Sequence, residues 1–462
     1  MGLPISVADL YQRLTNQTIS KLTPEDRLIV SGWVRTNRNN GSVGFIELND
    51  GTHFKNLQLV YSKEQIADFD AISKYGTGTA IEVTGNLKLT PEMKQPFELH
   101  VTFVTLVGAC DEDYPLQKKR HSFEYLRDIA HLRVRTNTFT ALNRVRSVLA
   151  MAIHEFFQRQ GYIYVHTPII TGNDAEGAGQ VFKVMVDEKK PDAFFGKPGS
   201  LTVSGQLHVE PFALAFRNVY TFGPTFRAEY SNTPRHSCEF WMIEPEMAFA
   251  DLSDDMDVIE GCIKFCIEYV MERCPAEMEF FNAMIDTTLH QRLTSLVAAP
   301  FKKLTYTEGI DLLKKAVASG HKFDNSNIEW GMDLQSEHER YLTEHIVKGP
   351  LFLINYPKEI KAFYMRLNDD GKTVAACDLL VPQVGELVGG SQREERFDLL
   401  AKRMEELGNR EGLEWYLDLR KYGGVPHAGF GIGFDRLLMY MTGVSNIRDT
   451  QPYPRNPGSL KY

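Results

Sequence analysis

A chain of 462 residues with 43% hydrophobic composition can bury a large core and is long enough for two or three domains. No apolar stretch is long enough to cross a bilayer, and the start shows no charged segment leading into an apolar run and a cleavage site; a cytoplasmic protein without a membrane partner is the expectation. The net charge of -9 excludes an unspecialised polyanion binder, yet Arg35, Arg38, Lys55, Lys118, Lys119, Arg120 and His121 supply local positive charge near the start, so a basic face stays open. Cys110, Cys238, Cys262, Cys266, Cys274 and Cys377 lack the paired short spacings of a zinc site or disulfide framework and read as reduced, mostly buried thiols.

In chain order, RLIVSGWVRT, VGFIELND, LQLVY, AIEVTGNLKL and FELHVTFVTLV are short β segments parted by turn signals, and they predict an OB-type barrel over residues 1–112. Such barrels bind oligonucleotides on one face. Residues 113–136, charged and proline-containing, read as a hinge. From Asn137 onward Leu142, Val145, Leu149, Ile153 and Phe156 recur at helical spacing until Gly161, predicting one long helix that feeds the strand-like YIYVHTPII. Residues 137–462 form a second domain with a helical insertion around 270–345. After it come three strand-like runs, LFLINYP, KAFYMRLN and VAACDLLV, a helix around Glu394 to Leu407, and a glycine-rich strand running straight into a helix in GFGIGFDRLLMYM.

Three clusters carry chemistry. In FRAEYSNTPRHSCEFWMIEPEMAF, Arg227, Glu229, Arg235, His236, Glu239, Glu244 and Glu246 interleave with aromatic residues; Arg227 and His236 suit phosphate oxygens, and Phe240 can stack on a base. Taken alone, a solvated hairpin with cross-strand ion pairs explains that composition equally well. In GFGIGFDR, Gly431 and Gly433 permit close backbone approach by a ligand before Arg436, but the last glycine and the acidic partner of a dinucleotide fingerprint are missing. In GELVGGSQREER, Glu386 offers a carboxylate to a magnesium ion, although a solvated turn also explains this piece alone.

Together these segments resemble class II aminoacyl-tRNA synthetases of the aspartate and asparagine subgroup. The helix and strand ending at Pro168 match the family's first motif, FRAEYSNTPRHSCEF its second and GFGIGFDR its third. AEGAG, FFGKPGSLTVSGQL, DLQSEHERYL, NYPKEIKAFYMRLNDDGKTVAACD, GGSQREER and NIRDTQPYPRNPG are most similar to the bacterial asparagine members, and the likeness covers nearly the whole chain. The resemblance implies an α+β fold, with an antiparallel sheet flanked by helices as catalytic domain and the barrel as anticodon reader. It implies ATP-dependent activation of L-asparagine, transfer to tRNA(Asn), Mg2+ accompanying ATP, and a homodimer paired through the helix and strand ending at Pro168.

Residue by residue, the resemblance puts Arg227 on the α-phosphate and the asparagine carboxylate, and His236 and Arg436 at the γ-phosphate. Phe240 and Arg436 enclose the adenine beside Gly433, and Glu229 meets its amino group. Glu386 and Asp378 are the magnesium carboxylates, Asp378 standing one residue further away than in aspartate enzymes. Ser204 and Gln206 fall near the α-amino end, Arg393 on the side-chain carbonyl, and Glu210 at the amide NH2, while Glu176 belongs to a loop that closes over the amino acid. Val209 stands where aspartate enzymes carry lysine, which speaks for asparagine. Phe45, Gln58 and Arg35 meet the anticodon. The rivals are an aspartate-charging or relaxed enzyme, a synthetase-derived asparagine synthetase, which would lack the barrel, and a non-catalytic RNA-binding relative, which would have broken ATP-site residues.

Overall fold

The computed structural model describes residues 2–462 apart from 24, 25, 94, 174–179, 191 and 232, and divides into two compact units, Met1–Ala141 and Leu142–Tyr462. In the first unit, α1 (Val7–Thr15) opens with a capping box in which Ser6 Oγ accepts from the Asp9 amide and the Asp9 carboxylate accepts from the Ser6 amide. Strands β1 (Arg27–Asn39), β2 (Val43–Asn49), β3 (Leu57–Ser62), β4 (Ala80–Leu89) and β5 (Phe97–Gly108) pair in the order β1-β2-β3-β5-β4, and β4 returns to β1, closing a barrel. Period-two alternation drives the closure. Leu57, Leu59, Ile81 and Val83 point inward and are fully buried, whereas Gln58 and Glu82 point out. Residues 113–136 lie within this unit and carry two short helices, Phe123–Asp128 and Ala130–Arg133.

The periodic stripe that begins at Leu142 lies on α2 (Asn137–Arg159), where Leu142, Val145, Leu149 and Ile153 are buried. The second unit is built on a sheet of β6 (Ile163–Tyr164), β7 (Asn218–Phe226), β8 (Glu239–Ala248), β9 (Lys302–Thr305), β10 (Leu351–Pro357), β11 (Thr373–Val381), β12 (Gly385–Gln392) and β13 (His427–Gly433). Among the described residues its order is β9-β10-β11-β12-β13-β8-β7-β6, antiparallel except for a parallel pair at each edge. The stretch around 270–345 is largely helical, but β9 within it joins the sheet edge.

The run KAFYMRLN does not form the strand its pattern suggests. It takes up the edge of β11 only beyond Ala376, where the pairing with β12 stops, through the bridges Met365 to Arg393 and Leu367 to Val374. Helix α3 (Gln206–Phe216) packs on β7 and β8, and α4 (Leu252–Arg273) on β11, β12 and β13. The substitution Leu59→Ala, at the centre of the barrel core, should cost about 2–5 kcal/mol. Hydrogen exchange on the full chain should show the loss as lowered amide protection confined to the barrel strands; unchanged protection there would count against a cooperative barrel core.

Candidate active site

The glycines of GFGIG shape the site. Side chains alternate along β13, so Phe430 and Ile432 enter the core while Gly429, Gly431 and Gly433 share the opposite face. Gly429 lies opposite Glu246 and Ser391, Gly431 opposite Gly389, and Gly433 opposite Met242. Directly paired residues share a face, so the sheet presents a floor of bare backbone bordered by Phe240, Met242, Glu244 and Glu246 from β8. At Gly429 a Cβ would collide with the Glu246 carboxylate and the Pro245 carbonyl.

A β-bulge sets the other border. Leu379 pairs with Val388 but Leu380 pairs with Glu386, so Leu387 is the extra residue on β12. That one-residue shift carries Glu386 to the face already occupied by Asp378, which lies opposite Gly389. The two carboxylates flank this glycine: a Cβ on it would stand 3.4 Å from Glu386 Oε1 and 3.6 Å from Asp378 Oδ1. Asp378 is also held by Lys361, whose Nζ donates to Oδ2 at 2.7 Å. Burial holds the Asp378 carboxyl above its usual range, the Glu386 charge adding to the effect and Lys361 opposing it.

Beside the floor opens a cleft. Arg227, Glu229, His236, Phe240, Glu386, Gly433 and Arg436 all line it, together with Arg235. The Arg227 guanidinium lies 5.4 Å from the Phe240 ring centre, and Arg436 Nη1 donates to Glu386 Oε2 at 3.3 Å and to the Glu386 carbonyl at 3.2 Å. Burial pushes the Glu386 carboxyl up, but Arg436, Lys361, Arg235 and Arg227 outweigh it and hold it below the ordinary value, so it is charged at neutral pH. His236 is depressed first by burial, then by Arg436 and Arg235, against the opposing pull of Glu229 and Glu386; it is neutral at neutral pH.

Further along the same face, Ser204 Oγ donates to Glu244, Glu244 Oε2 accepts from the Gly205 amide at 2.8 Å, and the Gln206 amide donates to Ser204 Oγ at 3.1 Å. Arg393 is buried against Glu246 in a forked pair, its Nε donating at 3.1 and 3.3 Å, while its Nη1 donates to Ser391 at 2.7 Å. Burial would lower the Arg393 guanidinium, but Glu246 outweighs this and holds it protonated. Glu244 and Glu246 were only part of a charged run in the sequence; their spacing of two, on a strand facing glycines, was the signal that both aim at the site.

One expectation is corrected by helix phase. Glu210 is fully buried and enclosed: Oε1 accepts from Gln206 and Tyr416, and Oε2 from Tyr416 at 2.8 Å and Arg420 at 3.0 Å, with His427 Nε2 also 3.0 Å from Oε2. Its charge is held by Arg420 and His427 against the cost of burial, and no lone pair is left over for a ligand's amide. Val209 is buried in an apolar cluster with Val165, Ala213 and Val219. Glu176 lies outside the described residues.

In the barrel, Phe45 lies opposite Val60, and Gln58 opposite Glu47 and Glu98, so both face outward on neighbouring strands. Arg38 lies over the Phe45 ring at 5.3 Å, and Gln58 Nε2 donates to Glu98 at 3.2 Å. Arg35 is engaged otherwise than expected: Nη1 donates to the Arg135 carbonyl and Nη2 to Asn137 Oδ1 at 2.5 Å, committing the guanidinium to the segment after the barrel.

Residues 123–457 match the family of tRNA synthetases class II (D, K and N), and residues 28–107 match the OB-fold nucleic acid binding domain. The asparagine–tRNA ligase of Clostridium beijerinckii is 56% identical, with 100% of both chains covered. That of Acetivibrio thermocellus is 59% identical, covering 94% of this chain and 96% of the other. Among solved structures, asparaginyl-tRNA synthetase from Pyrococcus horikoshii complexed with asparaginyl-adenylate superposes with a TM-score of 0.85 at 34% identity, covering 96% of this chain and 98% of that one. An amino-terminal OB-fold joined to this sheet, and near-complete likeness to these relatives, settle the family: the chain belongs to the asparagine–tRNA ligases of the class II tRNA synthetases.

Proposed function

We propose that the chain activates L-asparagine with ATP to asparaginyl-adenylate and then transfers the asparaginyl group to the 3′ end of tRNA(Asn). One observation carries this: the cleft lined by Arg227, His236, Phe240, Glu386 and Arg436 opens beside a buried Arg393–Glu246 pair on the same sheet face. An adenosine resting on the glycine floor stacks on Phe240, with Arg436 on its other side and Glu229 toward its amino group. The triphosphate then runs toward His236 and Arg436. Arg227 interacts electrostatically with Glu244 and with Glu386, so its charge acts between the amino-acid end and the phosphate end, where the substrates must meet.

In the first step the asparagine carboxylate attacks the α-phosphorus and pyrophosphate leaves; in the second, the tRNA ribose hydroxyl attacks the activated carbonyl and AMP leaves. Neither step requires a nucleophilic side chain. Positioning and charge neutralisation are what the chain supplies, with Arg227 steadying the charge that gathers on the α-phosphate. Mg2+ fits here as a guest of the triphosphate: among the described residues no group of three or more His, Cys, Asp or Glu is arranged to hold a metal, whereas Glu386 supplies a charged oxygen donor and Asp378 faces the same glycine. Bound there, the ion neutralises phosphate charge.

Selection of an amide follows from the Arg393–Glu246 pair. A primary amide offers one acceptor to a guanidinium and two donors to a carboxylate, whereas an aspartate carboxylate offers acceptors only and would meet Glu246 as a like charge. Ser204 and Gln206, tied to Glu244, lie toward the α-amino end. The outward face of the barrel with Phe45, Gln58 and Arg38 is where unstacked anticodon bases would be received. A homodimer through α2 and the strand beyond it is supported by Met151, Ile163, Ile169 and Ile170, which are exposed apolar side chains. We place the enzyme in the cytoplasm without a membrane partner; no helix among the described residues is long and apolar enough to cross a membrane.

Purified protein should exchange labelled pyrophosphate into ATP only when asparagine is present, and Arg227→Ala should lower that exchange by about a hundred- to a thousand-fold. Exchange independent of the amino acid would refute the proposal. Glu246→Gln should shrink the preference for asparagine over aspartate in kcat/KM by about ten-fold or more, since the like-charge penalty goes with it. An unchanged ratio would remove the pair from the selection.

A further inference from the structure

The segment DLQSEHERYL forms α5 (Ser336–Arg340), which continues as a π-helix over Tyr341–Val347. From it Glu339 reaches the turn that joins β11 to β12. Its Oε2 accepts from the Glu386 backbone amide at 3.2 Å and from Arg235 Nη1 at 3.3 Å. The same Arg235 donates to the Val384 carbonyl at 2.5 Å and to Ser336 Oγ. One carboxylate thereby ties the residue before His236 to the first turn of the strand bearing Glu386. Gly385 sits between the partners at φ +81°, and a Cβ there would collide with both Glu339 and Arg235.

A second carboxylate follows five residues on: Glu344 Oε1 accepts from the Gln383 amide at 2.9 Å, at a residue held at φ +69°. In an α-helix a five-residue step turns about 140° away. The π-helical bonding of i to i+5 brings such residues back toward one side, so both carboxylates can hold one turn. Two left-handed residues in four, Gln383 and Gly385, make a turn whose conformation depends on outside support.

We propose that Glu339, assisted by Glu344, is a positioning residue of the triphosphate end: it holds the 382–385 turn and Arg235, and so fixes Glu386 relative to His236 without itself touching substrate. The inference rests on the reading of the cleft as the site for ATP. It predicts a defect confined to that end. In the full chain, Glu339→Gln should raise the KM for ATP and the half-saturating Mg2+ in asparagine-dependent exchange by about ten-fold, the scale of one lost charge-assisted bond, while the KM for asparagine stays within about two-fold. Glu344→Gln, an exposed position, should shift the same two constants in the same direction by about two- to three-fold. Mn2+ binding in the presence of ATP alone, followed by electron paramagnetic resonance, should weaken in parallel.

Unchanged ATP and Mn2+ affinities in a folded Glu339→Gln protein would overturn the proposal, and so would equal losses for ATP and asparagine with a lowered melting temperature, which mark a merely structural residue. Should Glu339→Gln fail to fold, Glu344→Gln decides alone by the same criteria. A wild-type protein that binds Mn2+ and ATP but shows no asparagine-dependent exchange would refute the proposed function, while its Mn2+ affinities would still test the clasp.

Discussion

Bare backbone at the centre of the sheet is the constraint on which the site depends. Gly389, Gly431 and Gly433 keep Cβ atoms off the front of β12 and β13 between Glu386 and Ser391, so a flat ligand can approach the peptide groups beside the Met242 methyl, while the Glu246 carboxylate fills the space over Gly429. Glycine inside a strand weakens it, and the buried Phe430 and Ile432 on the back face restore the packing that the front gives up. Phe240, Glu244, Glu246, Asp378 and Glu386, the strand-borne residues of the site, stand at the rim of this floor, and their aim is set by strand register. The bulge at Leu387 is the clearest instance, because without it Glu386 would face the core.

Charge at the rim is arranged in pairs that burial alone would not tolerate. Arg393 with Glu246, Arg436 with Glu386 and Lys361 with Asp378 each place a cation beside a carboxylate, and Glu210 is paired with Arg420. Breaking a buried pair from one side leaves an uncompensated charge, which costs more than the pair contributes. Such pairs hold donors and acceptors in fixed orientation before a ligand arrives, the preorganisation that the proposed selection of an amide over an acid requires.

Much of this was legible in the sequence where the signal is local. The barrel followed from alternation in runs such as LQLVY, and α2 from the spacing of Leu142, Val145, Leu149 and Ile153. The cluster around Arg227 and the glycines before Arg436 could be picked out, although each piece alone had an ordinary explanation. Pairing register, helix phase and long-range capture were not legible. Nothing in GELVGG announces a bulge; nothing in SGQLHVE says that Val209 turns into an apolar cluster while Glu210 is enclosed by Tyr416, Arg420 and His427. Arg35 looked like a basic residue on a binding face, but its partners lie 100 and 102 positions away. KAFYMRLN has the pattern of a strand but finds β11 free only beyond Ala376, where the pairing with β12 ends.

Asparaginyl-adenylate is expected to lie on the glycine floor with its amide end at the Arg393–Glu246 pair. A crystal structure of this chain with a non-hydrolysable analogue of asparaginyl-adenylate tests it most directly. The adenine is expected against Phe240 above Gly431 and Gly433, the phosphate at Arg227, and the side-chain amide between Arg393 and Glu246. An analogue bound away from the floor, or with its amide end out of reach of that pair, would contradict it.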